Sequence, residues 1–495
     1  MNFSEDQLRA LYKFTKGQNL FLTGPAGTGK SFLIQTMTSY ATNKRKVIQV
    51  CALTGVAAVL LGNQARTIHS WSGIKICRDP PETTARKVAR EQKYLQNWQQ
   101  TDILVIDEVS MMSAHVFDTL DKVGRLTRNR NLPFGGIQVI MVGDMFQLPP
   151  VGNDSTFCFQ SPQWFQTVPI ENHIELRTLF RQTDPEYIEA LNQVREGRLE
   201  QKYCDVLRQH VQVPPPDLVV TRLYPRRDQV DYLNHLEFNR LTEPVHEFPV
   251  HSTTKLKFFV ESGKPITAFH IENKVRDKEQ EVENMRVNTR VEPLKLRVGA
   301  HVMCTVNLDQ SVGIVNGSQG KIIGWTERQK VRVLEQYVEM ELPRVQFKNH
   351  TMTIQPKAWQ STNDPKIAIA QLPLTLCWAL TIHKSQGATL DNAVMDLGSS
   401  VFEYGQAYVA LSRVRSLEGL FLTQFEPQRI RAHPEVVSFY RQIRAHPIDN
   451  IPPVGIPELF QALPVADAVY SEPIPLATVE TLPDPDIKVV HINKI

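Results

Sequence analysis

A chain of 495 residues with a formal net charge of only +3 is too long for one core and too nearly neutral to hold nucleic acid by a global field. Two or more domains and a local basic channel are expected. Six single cysteines with no CxxC pair exclude a zinc or iron–sulfur cluster and read as small buried side chains in a reducing compartment. No apolar run approaches the roughly 20 residues of a membrane span, and the start MNFSEDQLRAL lacks a signal core. The protein is therefore read as soluble and intracellular, compartment unassigned, with no membrane partner.

In chain order, Leu20–Thr23, Val47–Cys51, Ile103–Ile106 and Val139–Val142 are apolar runs of strand length separated by helical patterns. They predict a parallel sheet with helices on both faces. GPAGTGKS, covering Gly24, Pro25, Ala26, Gly27, Thr28, Gly29, Lys30 and Ser31, fits GxxxxGK[ST] between a strand and a helix. That spacing lets backbone amides wrap phosphates, brings Lys30 to the β- and γ-phosphates of ATP, and places the Ser31 hydroxyl on Mg²⁺. LTGVAA and TIHSWSG follow. Both offer donors to a phosphodiester, and His69 and Trp71 are placed to stack on bases. A buried core tryptophan is an equal reading of Trp71. Between Ile74 and Gln100 a polar, charge-mixed piece with Pro80 and Pro81 reads as a small excursion between strands.

ILVIDE delivers Asp107 to a strand end beside the phosphate loop, where it would hold Mg²⁺, and Glu108 to the position that orients or deprotonates water. In VGDMFQLPP, Gln147 is a neutral group suited to sensing the γ-phosphate. Arg181 in LFRQ and Arg413 in YVALSRVRS are candidates for arginines supplied across an interface to phosphoryl transfer.

Past Pro214–Pro216, the run Leu218–Val220 opens a second α/β unit. Residues 296–370 are β-rich, with Val298–Val306, Gly320–Ile323 and Val333–Leu342 separated by turns such as Asn316-Gly317, which suits an inserted small β-barrel. Leu372–Leu380 and Leu417–Thr423 return to buried strands, and TIHKSQGATLD between them carries His383, Lys384 and Ser385 in a donor-rich loop. The segment after about 445 holds nine prolines and reads as a flexible or extended tail. Its apolar patches (Leu459-Phe460, Ile474, Val489-Val490) leave a protein-docking role open.

These motifs, in this order, resemble superfamily-one helicases of the petite-integration-frequency (Pif) type, related to RecD. The likeness spans residues 1–425 and is most specific from Phe117 to Val151, where a charged helix precedes PFGGIQVIMVGDMFQLPPV. The resemblance implies an α/β fold of two RecA-like P-loop motor domains, at 1–180 and at 181–295 with 371–440. Residues 75–95 would form a small wedge insert, 296–370 the barrel, and 441–495 the tail. By the same likeness Gln7 in FSEDQ reads the adenine, and Lys30, Ser31, Asp107, Glu108 and Gln147 form the ATP and Mg²⁺ site. Arg181 and Arg413 are the arginine fingers, and Thr54, Gly55, His69, His383, Lys384 and Ser385 touch a single strand. The implied activity is an ATP-dependent DNA helicase, a monomer moving 5′ to 3′ on single-stranded DNA and opening forked duplex, in DNA replication, repair, recombination or telomere maintenance. The rival readings are a translocase or remodeller that never separates strands, and a nucleic-acid-binding scaffold with a dead ATPase. Leu53 stands where the family often has proline, and residues 241–292 match no assigned element.

Overall fold

The first sheet is all parallel, with strands in the order Arg66–Thr67, Ile48–Ala52, Ile103–Asp107, Gln138–Val142, Leu20–Thr23, His173–Glu175. Ile103–Asp107 and Gln138–Val142 are buried along their whole length, as expected for central strands covered on both faces. Of the four predicted strands, Leu20–Thr23 keeps its bounds and the other three have ends shifted by a residue. The structure is a computed structural model. It describes residues 3–446 and 487–492, apart from 55–56, 59–60, 62–64, 76, 78, 151–155, 183, 216–217, 219, 254–255, 262–277, 287–290, 310–311, 313, 315–316, 348–349 and 362–366.

Two helices bring side chains to the carboxyl edge of this sheet. Glu5–Thr15 opens with a capping box in which Gln7 N donates to Ser4 Oγ at 3.3 Å and Ser4 N to Gln7 Oε1 at 3.1 Å. Lys30–Asn43 starts directly after Gly29, whose φ is 82°, and no side chain caps its first amides. Those amides are left for a ligand, as a phosphate loop requires. The charged helix of the family-like stretch, Ala114–Thr127, is capped by Ser113 and folds back on a turn at Pro133–Gly136. Phe134 N donates to the buried Asp121 Oδ1 at 2.8 Å to close that turn.

The second sheet is also parallel, in the order Ala379–Thr381, Thr221–Tyr224, Ala393–Leu397, Leu420–Phe425. Three expectations are corrected here. The strand predicted at Leu218–Val220 begins at Thr221, because Leu218 and Val220 pack on Val394 and Phe421 before the ladder starts. The strand predicted at Leu372–Leu380 is two strands. Leu374–Leu376 pairs antiparallel with His301–Cys304, and Ala379–Thr381 joins the parallel sheet. The one predicted at Leu417–Thr423 starts with a 3-10 turn at Leu417–Gly419.

By contacts the chain forms two units. One is Met1–Glu237 with Asn316–Gln319 and Cys377–Ala466, and the other is Phe238–Val315 with Gly320–Leu376 and Asp467–Ile495. Both parallel sheets lie in the first. Its core takes in Val436, Phe439, Tyr440 and Ile443 of the helix Pro434–Ala445, with Phe439 stacked on Phe159 at a centroid distance of 4.2 Å. The tail expected from 441 thus begins inside a packed helix. Residues 75–95 hold the helix Pro81–Arg90 and the start of Gln92–Gln100, apart from the undescribed 76 and 78.

The second unit is β-rich. Its largest sheet orders Thr351–Thr353, Pro343–Phe347, Gln319–Trp325, His301–Cys304 and Leu374–Leu376. The β-rich run Val333–Leu342 takes in the corner and second strand of a hairpin, Gln329–Val333 with Gln336–Met340. Leu334, at φ 56°, makes the left-handed corner that a two-residue connection needs. Ile487–Ile492 pairs antiparallel with Leu256–Glu261, which puts Val489 and Val490 opposite Phe259 and Phe258. The remainder of the tail, with Leu459, Phe460 and Ile474, lies outside the described residues. No described helix is long and apolar enough to cross a membrane. All six cysteines are free and buried.

Candidate nucleotide and nucleic-acid site

The phosphate loop sits where the first sheet's strands end. Lys30 Nζ donates to the carbonyls of Gly24 and Pro25 at 2.7 and 2.9 Å. Burial lowers its pKa, opposed by the charges of Asp144, Glu108 and Asp107. Asp107 Oδ1 accepts the amide of Glu108 at 2.8 Å, and burial with the neighbouring Glu108 raises its carboxyl to about 7. Glu108 itself turns out of the strand in the left-handed region (φ 58°, ψ 39°), and burial raises its pKa as well. Gln7 is buried, and its Nε2 donates to Thr28 O at 3.3 Å, which brings its amide to the mouth of the loop.

The second sheet reaches into the same site. Gln386, in the loop after Ala379–Thr381, donates from Nε2 to Glu108 Oε2 at 2.9 Å and to Gln147 Oε1 at 3.1 Å. Arg413 is 2% exposed. Its Nε donates to Val409 O at 2.8 Å, its Nη2 to Ser412 Oγ at 2.7 Å, and its Nη1 reaches Ser385 O and Ala388 O at 3.5 and 3.4 Å. Burial and the facing Arg181 bring its pKa down to about 10, while Glu108 pulls the other way. Arg181 Nη1 reaches Ser412 O at 3.5 Å and also feels Glu108. Both predicted fingers therefore lie within electrostatic reach of the same carboxylate.

A buried hydrogen-bond hub locks these parts together. Arg195 donates from Nε and Nη2 to the two oxygens of Asp144, both at 2.9 Å, and from Nη1 to Glu175 at 3.1 Å. Tyr408, on the helix leading to Arg413, donates to Asp144 Oδ2 at 3.2 Å and accepts the Ala26 amide at 3.0 Å. Tyr440 donates to Asp144 Oδ1 at 3.1 Å and accepts from Met145 N at 3.3 Å and from the Thr23 hydroxyl. Gly405 begins that helix at φ +70°, and a Cβ there would sit 2.6 Å from Gln147 O and collide with Phe146 O. Only glycine lets the helix approach the Gln147 loop so closely.

Gln386, Tyr408, Arg195 and Tyr440 were not singled out by the sequence. Gln386 had a signal, two residues beyond Lys384 in a loop already suspected, and Tyr408 stood in the Arg413 motif. Arg195 and Tyr440 had none, being single residues of ordinary amphipathic helices.

The predicted strand contacts fare unevenly. His383 is half-buried and Lys384 exposed. His69 is half-buried, and desolvation lowers its pKa. Thr54 Oγ1 accepts the Ala57 amide at 3.2 Å. Gly55 lies outside the described residues. Trp71 is corrected. It is 1% exposed, packed on Trp98 at 4.8 Å between centroids, and belongs to the core. Ser385 is corrected as well. It is fully buried, and its hydroxyl donates to Ile382 O at 2.8 Å, so it shapes the loop and does not face a strand.

The donor set fits a hard cation that shares its ligands with phosphate. An exposed Ser31 hydroxyl opens the loop helix, and Asp107 is held near ionisation beside a second acid. Among the described residues no cluster of three or more His, Cys, Asp or Glu could hold a metal alone.

The PIF1-like helicase family model matches residues 4–204, and the DNA helicase Pif1 2B domain model matches 287–325. The Pif1 helicase from Candida albicans is 31% identical, with a TM-score of 0.68, over 90% of this chain and 100% of that one. The chain belongs to the Pif1-like helicase family. A Bacteroides Pif1 solved with ADP-AlF4 is 26% identical with a TM-score of 0.70, over 90% of this chain and 98% of that one. Human ATP-dependent DNA helicase PIF1 is 37% identical over 452 residues, 89% of this chain and 64% of the relative. The chain thus spans 64% of the length of that curated family member. The RecA-like α/β fold expected from the motifs is the family's fold.

Proposed function

We propose that the chain is an ATP-dependent DNA helicase that moves 5′ to 3′ along one strand and opens forked duplex. The observation that carries this is Gln386. A single amide from the second sheet holds both Glu108 and Gln147 of the first, so one catalytic pocket is shared by two lobes. Solved family members at 26–27% identity include a Bacteroides Pif1 bound to single-stranded DNA and a study of unwinding at forked duplex by two coordinating Pif1 helicases.

In this reading the two parallel sheets are the motor lobes, 75–95 the wedge and 296–370 the inserted β-rich piece. Lys30 exchanges the carbonyls of Gly24 and Pro25 for the β- and γ-phosphates, and Gln7 reads the adenine edge. Ser31 and Asp107 would hold Mg²⁺, which when bound neutralises charge on the phosphate oxygens. Glu108 orients and deprotonates the attacking water, and Gln147 senses the γ-phosphate. Arg181 and Arg413 stabilise charge on the transferring group. Loss of that phosphate moves the Gln386 loop, and with it His383 and Lys384, which with Thr54, Gly55 and His69 grip the strand. All these groups come from one chain, so a monomer holds a complete site.

The test is ATP hydrolysis with and without single-stranded DNA, for the wild type and Lys30→Ala. Stimulation by DNA that is lost in Lys30→Ala is expected. Stimulated hydrolysis that survives the change would contradict the assignment.

A further inference from the structure

The segment after the first sheet's last strand lays Phe180, Arg181 and Gln182 along the phosphate loop, with Phe180 N donating to Gly27 O at 2.9 Å. Gln182 has no part in the site described so far. It is 3% exposed, and among the described residues neither its Oε1 nor its Nε2 finds a hydrogen-bond partner. Gly27 fixes where that amide lies. A Cβ at Gly27, whose φ is +91°, would stand 3.0 Å from Gln182 Oε1 and 2.6 Å from Arg181 Cβ.

A buried amide with both ends unpaired is costly, and in a folded protein it calls for a reason. Here the reason lies alongside, in a loop built to wrap phosphates. A side-chain amide has two N–H donors and an acceptor oxygen, so it can donate to a phosphate oxygen without adding to the repulsion among Lys30, Arg181 and Arg413. We propose that Gln182 is a nucleotide-contacting residue, its amide completed by a phosphate oxygen of the bound nucleoside triphosphate. The inference rests on the nucleotide site assigned above and adds to it a contact that the motif reading did not contain.

The experiment compares the wild type with Gln182→Met, an unbranched apolar chain of similar volume. It measures equilibrium binding of the magnesium complex of the β,γ-imido analogue of ATP, and the melting temperature without nucleotide. Affinity is expected to fall roughly ten- to hundred-fold, as for a lost hydrogen bond to a charged group. The melting temperature without nucleotide is expected to stay or rise, because the substitution removes an unpaired buried amide. Unchanged affinity overturns the inference. So does a lower melting temperature without nucleotide, which would mean that the amide is paired within the chain.

If Gln182→Met does not fold, a crystal structure of the wild type with magnesium, ADP and tetrafluoroaluminate decides. The Gln182 amide is expected within about 3.2 Å of a phosphate or fluoride atom, and a separation beyond about 4 Å overturns the inference. A wild type that binds no analogue takes the nucleotide-site reading down with it. A wild type that binds while Gln182→Met binds equally well sinks this inference alone.

Discussion

Glu108 shows how single residues carry the site. Its left-handed backbone costs roughly 1–3 kcal/mol for a non-glycine residue and persists only where the surroundings hold it. The turn takes its carboxylate off the line of the strand and onto the Gln386 amide. Replacing Gln386 with leucine removes that donor while leaving Lys30 and the loop intact. Turnover of ATP is expected to fall about ten- to hundred-fold, the size of a lost charge-assisted hydrogen bond, with KM for ATP within about twofold. Steady-state kinetics check it, and a change in KM alone would place Gln386 in binding and not in catalysis. The phosphate-loop residues were legible because their chemistry is encoded in spacing along one turn. Gln386 was not, because its bonds exist only once two sheets from distant parts of the chain have docked. Trp71 was ambiguous for another reason. A tryptophan beside polar residues suits a core or a base stack equally, and only the position of Trp98 decided it.

At the scale of elements, the Asp144 hub joins the phosphate loop, the helix Pro185–Glu196, the helix Gln406–Leu411 and the helix Pro434–Ala445. Arg195 and Asp144 are 3% and 0% exposed, so removing one partner strands a buried charge. Arg195→Ala is expected to cost about 3–5 kcal/mol, measured by urea unfolding. A loss below about 1 kcal/mol would show that the hub does not hold the lobes. A pH effect belongs here too. Trp164 Nε1 donates to His173 Nε2 at 2.9 Å, so His173 must donate from Nδ1 to Pro169 O at 3.1 Å and stay neutral. Burial pushes its pKa from 6.5 down to about 4. Below pH 6.5 the unfolded chain takes up a proton that the folded chain refuses, so stability is lost as pH falls toward about 4 and not further. The loss amounts to up to about 3 kcal/mol. Unfolding curves across that range should flatten in His173→Gln, and equal slopes in the two proteins would contradict this cause. Four strands of the first sheet were legible to within a residue because each is an apolar run, whereas the short edge strands Arg66–Thr67 and His173–Glu175 carry no such pattern. Leu372–Leu380 misled because one apolar run serves two sheets.

For the whole molecule, a near-neutral chain with both parallel sheets in one unit suits a motor whose strand grip is local. The proposed strand-facing residues His383 and Lys384 sit two or three residues from Gln386, so under the proposed function a short loop would connect grip to hydrolysis. The order of motifs made the family readable. The second unit was harder, because its short strands are set by pairing between distant segments. The most direct measurement is strand displacement from 5′-tailed and 3′-tailed forked duplexes, with and without ATP, by the wild type and Lys30→Ala. The 5′-tailed fork is expected to open only with ATP and only with the wild type. Hydrolysis without displacement, or displacement by Lys30→Ala, would contradict the helicase assignment.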